Sequence, residues 1–239
     1  MKKERINRKP ASYRLRRRKI ILRRYLAIFL TALITATFIY AVVETVRFFV
    51  DPNYDNGFIP SPYGVNISKR VKKAEKLEIP DWIDGQIIHK HTTARTGIRL
   101  KDIANVVIHY VGNPDTSAQN NRDYFDKDST EVSSHFVVGL EGEIIQCIPL
   151  YERSAASNER NKDSISIEVC HPDETGEFNE KTYNSLVKLT AWLCEEFSLD
   201  EKQIIRHYDI TGKECPKYYV KNEDAWENFK TDVEEMLDE

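Results

Sequence analysis

The chain has 239 residues, long enough for one sizeable domain plus additional segments, and its formal net charge is −3. That small sum hides an asymmetry: residues 1–24 carry twelve Lys and Arg against Glu4 alone, and the remainder carries 23 basic and 37 acidic residues. A basic arm on an acidic body is one signature of nucleic-acid binding, but the segment that follows the arm argues against it.

Residues 25–43 are nineteen residues without a charge. A helix of that length rises about 28 Å, close to the hydrocarbon thickness of a bilayer. Threonines and tyrosines dilute its hydrophobicity. The basic cluster lies only on its N-terminal side, with Glu44 and Arg47 the nearest charges beyond it. The positive-inside rule therefore predicts a cytoplasmic arm at 1–24, a single transmembrane helix at 25–43 and an extracytoplasmic body. The run is longer than the apolar core of a cleaved signal peptide, and Ile39-Tyr40-Ala41 fits a cleavage site poorly. An uncleaved signal anchor is expected, its arm lying on anionic headgroups of the lipid bilayer, with no nucleic-acid partner.

Residues 44–80 read as an extracytoplasmic stalk. Two turn-rich stretches, 51–57 and 59–64, lack periodicity, and 68–77 suggests a short polar helix ending before Pro80. The folded domain is expected over 81–239. Strands are predicted at 106–110, 133–139, 143–149 and 164–170, the second and third forming a hairpin about Glu141-Gly142. Thr116 or Ser117 can cap a helix reaching about Lys127. Leu186, Leu189, Leu193 and Phe197 recur at helical spacing over 180–197, and Trp226, Phe229 and Val233 do so over 222–237. Strands and helices mixed in this order indicate an α/β (α+β) domain, a mixed central sheet flanked by helices.

The four cysteines are widely spaced and fit no dense disulfide framework. Cys147, Cys170 and Cys194 lie in apolar strand or helix patterns and read as small buried hydrophobes. Cys215 is different, because it lies in a predicted loop with His207, Lys213 and Pro216. Histidine and cysteine are good zinc ligands, and a catalytic zinc typically takes three protein ligands and a water. His109, closing a buried strand at a turn, is the third candidate. Lys213 can favour the Cys215 thiolate or face a substrate. In the 164–170 strand, alternation puts Ile165, Ile167 and Val169 on one face, with Ser166, Glu168 and Cys170 on the other. A partly buried Glu168 would have its pKa raised toward the range of a general acid or base. His135 and His171 read as structural, as further ligands or as outer partners of ligands; His89 and His91 would share a strand face, a weak metal signal, and read rather as exposed.

Four blocks, VVIHYVGNPDTSAQNNRDYF, VSSHFVVGLEGEIIQCIPL, NKDSISIEVCHPD and IIRHYDITGKECPKY, resemble in order the zinc-dependent N-acetylmuramoyl-L-alanine amidases of type 2, whose fold peptidoglycan recognition proteins share. The resemblance covers about residue 101 to the C-terminus. It implies one Zn2+ ion held by His109, His207 and Cys215. It implies that Glu168 activates or positions the zinc-bound water and that Lys213 stabilises the developing oxyanion. The implied reaction cleaves the amide between N-acetylmuramic acid and L-alanine of the peptidoglycan stem peptide, at a bacterial cell wall outside the membrane. Some relatives place a catalytic tyrosine where this chain has Ser134, which leaves proton handling to Glu168. The rival expectation is a non-catalytic, membrane-anchored peptidoglycan receptor. Such relatives typically lose a zinc ligand, and this chain keeps all three.

Overall fold

A computed structural model describes residues 11–50, 67–90 and 93–238, so the first part of the basic arm, the turn-rich stretches at 51–66 and His91 lie outside the described residues. The chain divides into two units, Met1–Gly64 and Val65–Glu239.

The first unit is built on helix α1, Ala11–Val50. It continues past both ends of the predicted span, and its Lys19–Arg47 stretch is long and apolar enough to cross a membrane. Large apolar side chains such as Leu22, Phe29, Ile34 and Phe38 are exposed. The threonines that dilute the hydropathy do not leave hydroxyls unsatisfied. Thr31 donates to the Ala27 carbonyl (2.8 Å), Thr35 to that of Thr31 (2.9 Å) and Thr37 to that of Ile34 (2.9 Å). Internal bonding of this kind makes threonine tolerable in hydrocarbon.

The second unit begins earlier than Asp81. Helix α2, Lys69–Ala74, is capped by the Ser68 hydroxyl, and Val71 and Ala74, one turn apart, are buried in the main core. The end of the expected stalk is therefore packed structure. The strands are β1 (Asp84–Gly85), β2 (Asn105–Tyr110), β3 (Phe136–Val138), β4 (Ile144–Gln146), β5 (Ser164–Val169) and β6 (Ile204–Arg206). They form one sheet in the order β1-β4-β3-β5-β2-β6. The β3–β4 pair is antiparallel and every other pair parallel, so the sheet is mixed, as expected. The hairpin turns at Gly142, whose φ of +84° is glycine territory.

Alternation along the strands sorts two layers. Val106, Ile108, Ile165, Ile167 and Val169 face a core completed by helices α4 (Glu180–Phe197) and α7 (Glu223–Leu237), through Leu186, Leu189, Leu193, Trp226, Phe229 and Val233. Val137, Ile145, Cys147 and Cys170 face the opposite side, with Ala118 and Phe125 of helix α3 (Ala118–Phe125). Ser117 caps α3 in a reciprocal capping box with Asn120. Ile167 has no exposed surface. Ile167→Ala is expected to cost about 2–5 kcal/mol, read from the shift in denaturant midpoint.

The predicted strands at 133–139 and 143–149 are shorter than their patterns, being β3 and β4. The 133–139 pattern yields only β3: Ser133 forms an isolated bridge with Ala155, and the Ser133 and Ser134 hydroxyls donate to the Ala94 and Phe136 carbonyls (both 2.6 Å). The His207 to Pro216 stretch is only partly a loop. It opens as helix α5, His207–Thr211, and helix α6, Lys217–Lys221, follows it. The Asp209 carboxylate accepts the Arg206 N–H (2.8 Å), and Gly212 ends α5 in the left-handed region (φ +75°).

Candidate active site

The parallel register of β2 and β5 sets His109 opposite Glu168, and that of β2 and β6 sets Ile108 opposite Arg206. His109 and Glu168 lie one residue before the ends of their strands, and His207 follows the last residue of β6. All three therefore gather at the carboxyl end of the parallel strands, where open α/β sheets place ligands. Cys215 is brought to the same end by the return of its loop onto α5, the Tyr208 N–H donating to the Cys215 carbonyl (2.9 Å).

One ligand atom each from His109, His207 and Cys215 lies within 4.8 Å of the others, and all three residues are buried. Among the described residues this is the one cluster of three or more such groups. Cys215 Sγ is 3.8 Å from His109 Nδ1, and the two imidazole centroids are 4.6 Å apart. Burial, then the neighbouring His207 and Lys213 charges, hold His109 well below its ordinary pKa; burial and Lys213 lower His207. Both rings are therefore neutral and able to offer a lone pair.

Of the two roles open to Lys213, favouring the Cys215 thiolate or facing a substrate, its pull on the thiol is the minor influence there. Burial, reinforced by the Glu168 charge, pushes the thiol up to about 12, and the Lys213 ammonium offsets this only weakly. A divalent cation is what would displace that proton. Two neutral imidazoles and one ionisable thiol, converging and shielded from water, fit zinc.

Glu168 is half-buried, but its Oε2 is fully buried without a hydrogen-bond partner. Burial pushes the carboxyl up to about 8 against the opposing pull of Lys213. A lone buried carboxyl is costly unless it has a task or a missing partner. It borders a cavity of about 590 Å³ whose rim includes Asn113, Thr116, Asn120, Asn121 and Lys127. Lys213 is exposed, and its charge acts on all four buried groups.

The Glu168 shift has a consequence for stability. The folded value of about 8 lies above the ordinary 4.5, so the folded state keeps a proton that the unfolded state releases. The Glu168 contribution to the stability of the zinc-free protein is therefore greatest below 4.5 and is lost as pH rises through about 8. Glu168→Gln should flatten this part of the profile, as shown by denaturant midpoints at the two ends of the window.

The other histidines lie elsewhere. His135 is fully buried; its Nε2 donates to the Glu152 carbonyl (2.9 Å) and its Nδ1 accepts the Ser166 N–H (3.0 Å). Burial lowers its pKa to about 4, and it serves as a structural bridge between strands. His171 is buried against the Tyr110 ring, with Nδ1 2.7 Å from the Asp173 carbonyl. His89 is exposed and paired with Asp126. Ser134 is buried with its hydroxyl donating to the Phe136 carbonyl. All four cysteines are free.

Sequence reasoning missed Ser157 and Asn158, which meet the two histidines. Ser157 Oγ is 3.0 Å from His109 Nε2, and Asn158 Oδ1 is 2.9 Å from His207 Nε2. They lie in what reads as a polar loop; the available signal was an Asn following a Ser, a pair that favours turns and left-handed backbone.

Known proteins resemble this chain in sequence and in fold. The chain is 29% identical over 160 residues to the N-acetylmuramoyl-L-alanine amidase CwlL of Bacillus licheniformis, covering 60% of this chain and 44% of that one. It is 33% identical over 171 residues to the amidase BlyA of Bacillus subtilis, covering 63% and 46%. The chain thus spans less than half the length of these curated relatives. Among solved structures, the catalytic domain of XlyA superposes with a TM-score of 0.56 at 26% identity, covering 63% of this chain and 98% of that one. The solution structure of the PlyG catalytic domain gives 0.58 at 22% identity, covering 65% and 94%, a likeness of fold. The profile described as N-acetylmuramoyl-L-alanine amidase matches residues 99–218, half of the chain and the part that holds every site residue above, and the chain belongs to that type 2 amidase family.

Proposed function

We propose that the chain is a membrane-anchored, zinc-dependent peptidoglycan hydrolase that cleaves the amide between N-acetylmuramic acid and L-alanine of the stem peptide. The observation that carries this reading is the convergence of His109, His207 and Cys215 within 4.8 Å, with the unpartnered Glu168 carboxyl on the neighbouring strand opposite His109.

His109, His207 and Cys215 would hold the ion. Zinc bound there supplies a Lewis acid that polarises the scissile carbonyl and makes hydroxide accessible near neutral pH. Glu168 handles the protons. Burial raises the pKa of its carboxyl in the zinc-free fold and a bound cation would draw it back toward ionisation, so it could accept a proton from the attacking water and deliver it to the departing alanine nitrogen. The Lys213 ammonium balances negative charge growing on the carbonyl oxygen. The amides, hydroxyl and lysine around the cavity beside Glu168 provide polar contacts for a glycopeptide. Retention of all three ligand residues favours hydrolysis over simple binding.

The long apolar helix and the basic residues preceding it support a single-pass anchor with the N-terminus cytoplasmic and the amidase domain facing the wall. Protease added to intact cells is expected to degrade the C-terminal domain; complete protection would reverse the orientation. For the activity, the full chain in detergent with zinc is incubated with purified peptidoglycan and the products are weighed by mass spectrometry. Free stem peptides beginning with L-alanine are expected, and their absence with zinc bound would overturn the assignment.

A further inference from the structure

Ser157 precedes a 3-10 helix, Asn158–Lys162, at the position where a serine hydroxyl normally caps. It makes no such cap bond. Its hydroxyl instead meets His109 Nε2 at 3.0 Å, with both residues essentially inaccessible to solvent. The next residue, Asn158, lies in the left-handed region at φ +52°, a conformation that asparagine tolerates and glycine prefers. Its Oδ1 lies 2.9 Å from His207 Nε2. Asn161 fixes the turn from behind, its Oδ1 accepting the N–H groups of Ala156 (3.1 Å) and Ser157 (2.6 Å).

Two consecutive residues thus meet the same ring atom of both histidines. An amide oxygen only accepts hydrogen bonds, so the neutral His207 ring must carry its proton on Nε2 and keep the Nδ1 lone pair. At His109 the Ser157 hydroxyl, which can donate or accept, is placed to accept the Nε2–H (3.0 Å), with Nδ1 on the side of Cys215 Sγ, 3.8 Å away. We propose that Ser157 and Asn158 act as a positioning clasp, holding His109 and His207 in the Nε2–H tautomer so that both present Nδ1 to the metal. The proposal rests on the zinc-site reading above. It also accounts for a non-glycine residue at a left-handed position: glycine would suit the backbone but would lose the acceptor.

That substitution separates positioning from structure. In the full chain in detergent, zinc affinity is measured by competition with a chromophoric chelator. The thermal midpoint of the zinc-free protein is measured in parallel, and nitrogen NMR of the imidazoles reports the tautomers. Asn158→Gly is expected to weaken zinc binding by about 10–100-fold, to leave the zinc-free midpoint unchanged or higher, and to mix the His207 tautomers. Ser157→Ala is expected to weaken binding over the same range. Asn158→Asp keeps an acceptor and is expected to bind zinc at least as tightly as the wild type. Wild-type binding with unchanged affinity in Asn158→Gly and Ser157→Ala overturns the clasp alone. Equal losses in Asn158→Asp and Asn158→Gly also overturn it. A wild-type chain that binds no zinc overturns the metal site and the clasp with it.

Discussion

Glu168→Gln is expected to lower the rate of stem-peptide release by about 10²–10⁴-fold while zinc content stays at the wild-type level. Glutamine has nearly the same shape, so the β5 backbone and its register with His109 should be unchanged, but an amide cannot carry the proton from water to the leaving nitrogen. The effect belongs in kcat, because the carboxyl is engaged in proton transfer rather than in holding substrate. Stability should not fall with activity. Glu168 Oε2 has no partner to lose, and removing a carboxyl displaced to about 8 helps the zinc-free fold at alkaline pH. Activity lost together with fold would instead make Glu168 a structural residue.

The largest effect is expected from the ligands. Cys215→Ser replaces a thiol that a metal can deprotonate with a hydroxyl that stays protonated and binds zinc poorly. Zinc affinity should fall by more than the ~10–100-fold that losing an outer partner costs, and amidase activity should fall to background. Chelating the wild type should produce the same inactive state, and restoring zinc should reverse it there but not in Cys215→Ser. Metal analysis of the purified proteins, alongside the activity assay, checks both. Wild-type zinc content in Cys215→Ser would remove Cys215 from the ligand set despite its 3.8 Å approach to His109.

Features that depend on local pattern were legible in the sequence. The alternation in SISIEV put Glu168 on the face opposite Ile165 and Ile167, and the structure separates them in that way. The leucine spacing of 180–197 predicted α4 with the bounds observed. What depends on long-range pairing was not legible: only the β2–β5 register places His109 beside Glu168, and no local signal encodes it. Helix α5 escaped notice because its start rests on an Arg206–Asp209 box, not on apolar periodicity. The Val71 and Ala74 stripe of α2 was masked by the lysines between them, so packed residues read as stalk. Ser157 and Asn158 looked like ordinary loop polars because their partners are 48 and 49 positions away.

The most direct measurement of the central claim is where the water oxygen goes. Peptidoglycan is digested by the zinc-loaded chain in water enriched in heavy oxygen, and the fragments are analysed by mass spectrometry. Hydrolysis at the proposed amide adds one heavy oxygen to the lactyl carboxylate of muramic acid and releases an unlabelled stem peptide with a free alanine amine. Heavy oxygen in the peptide or at a glycosidic carbon, with the lactyl amide intact, would contradict the account.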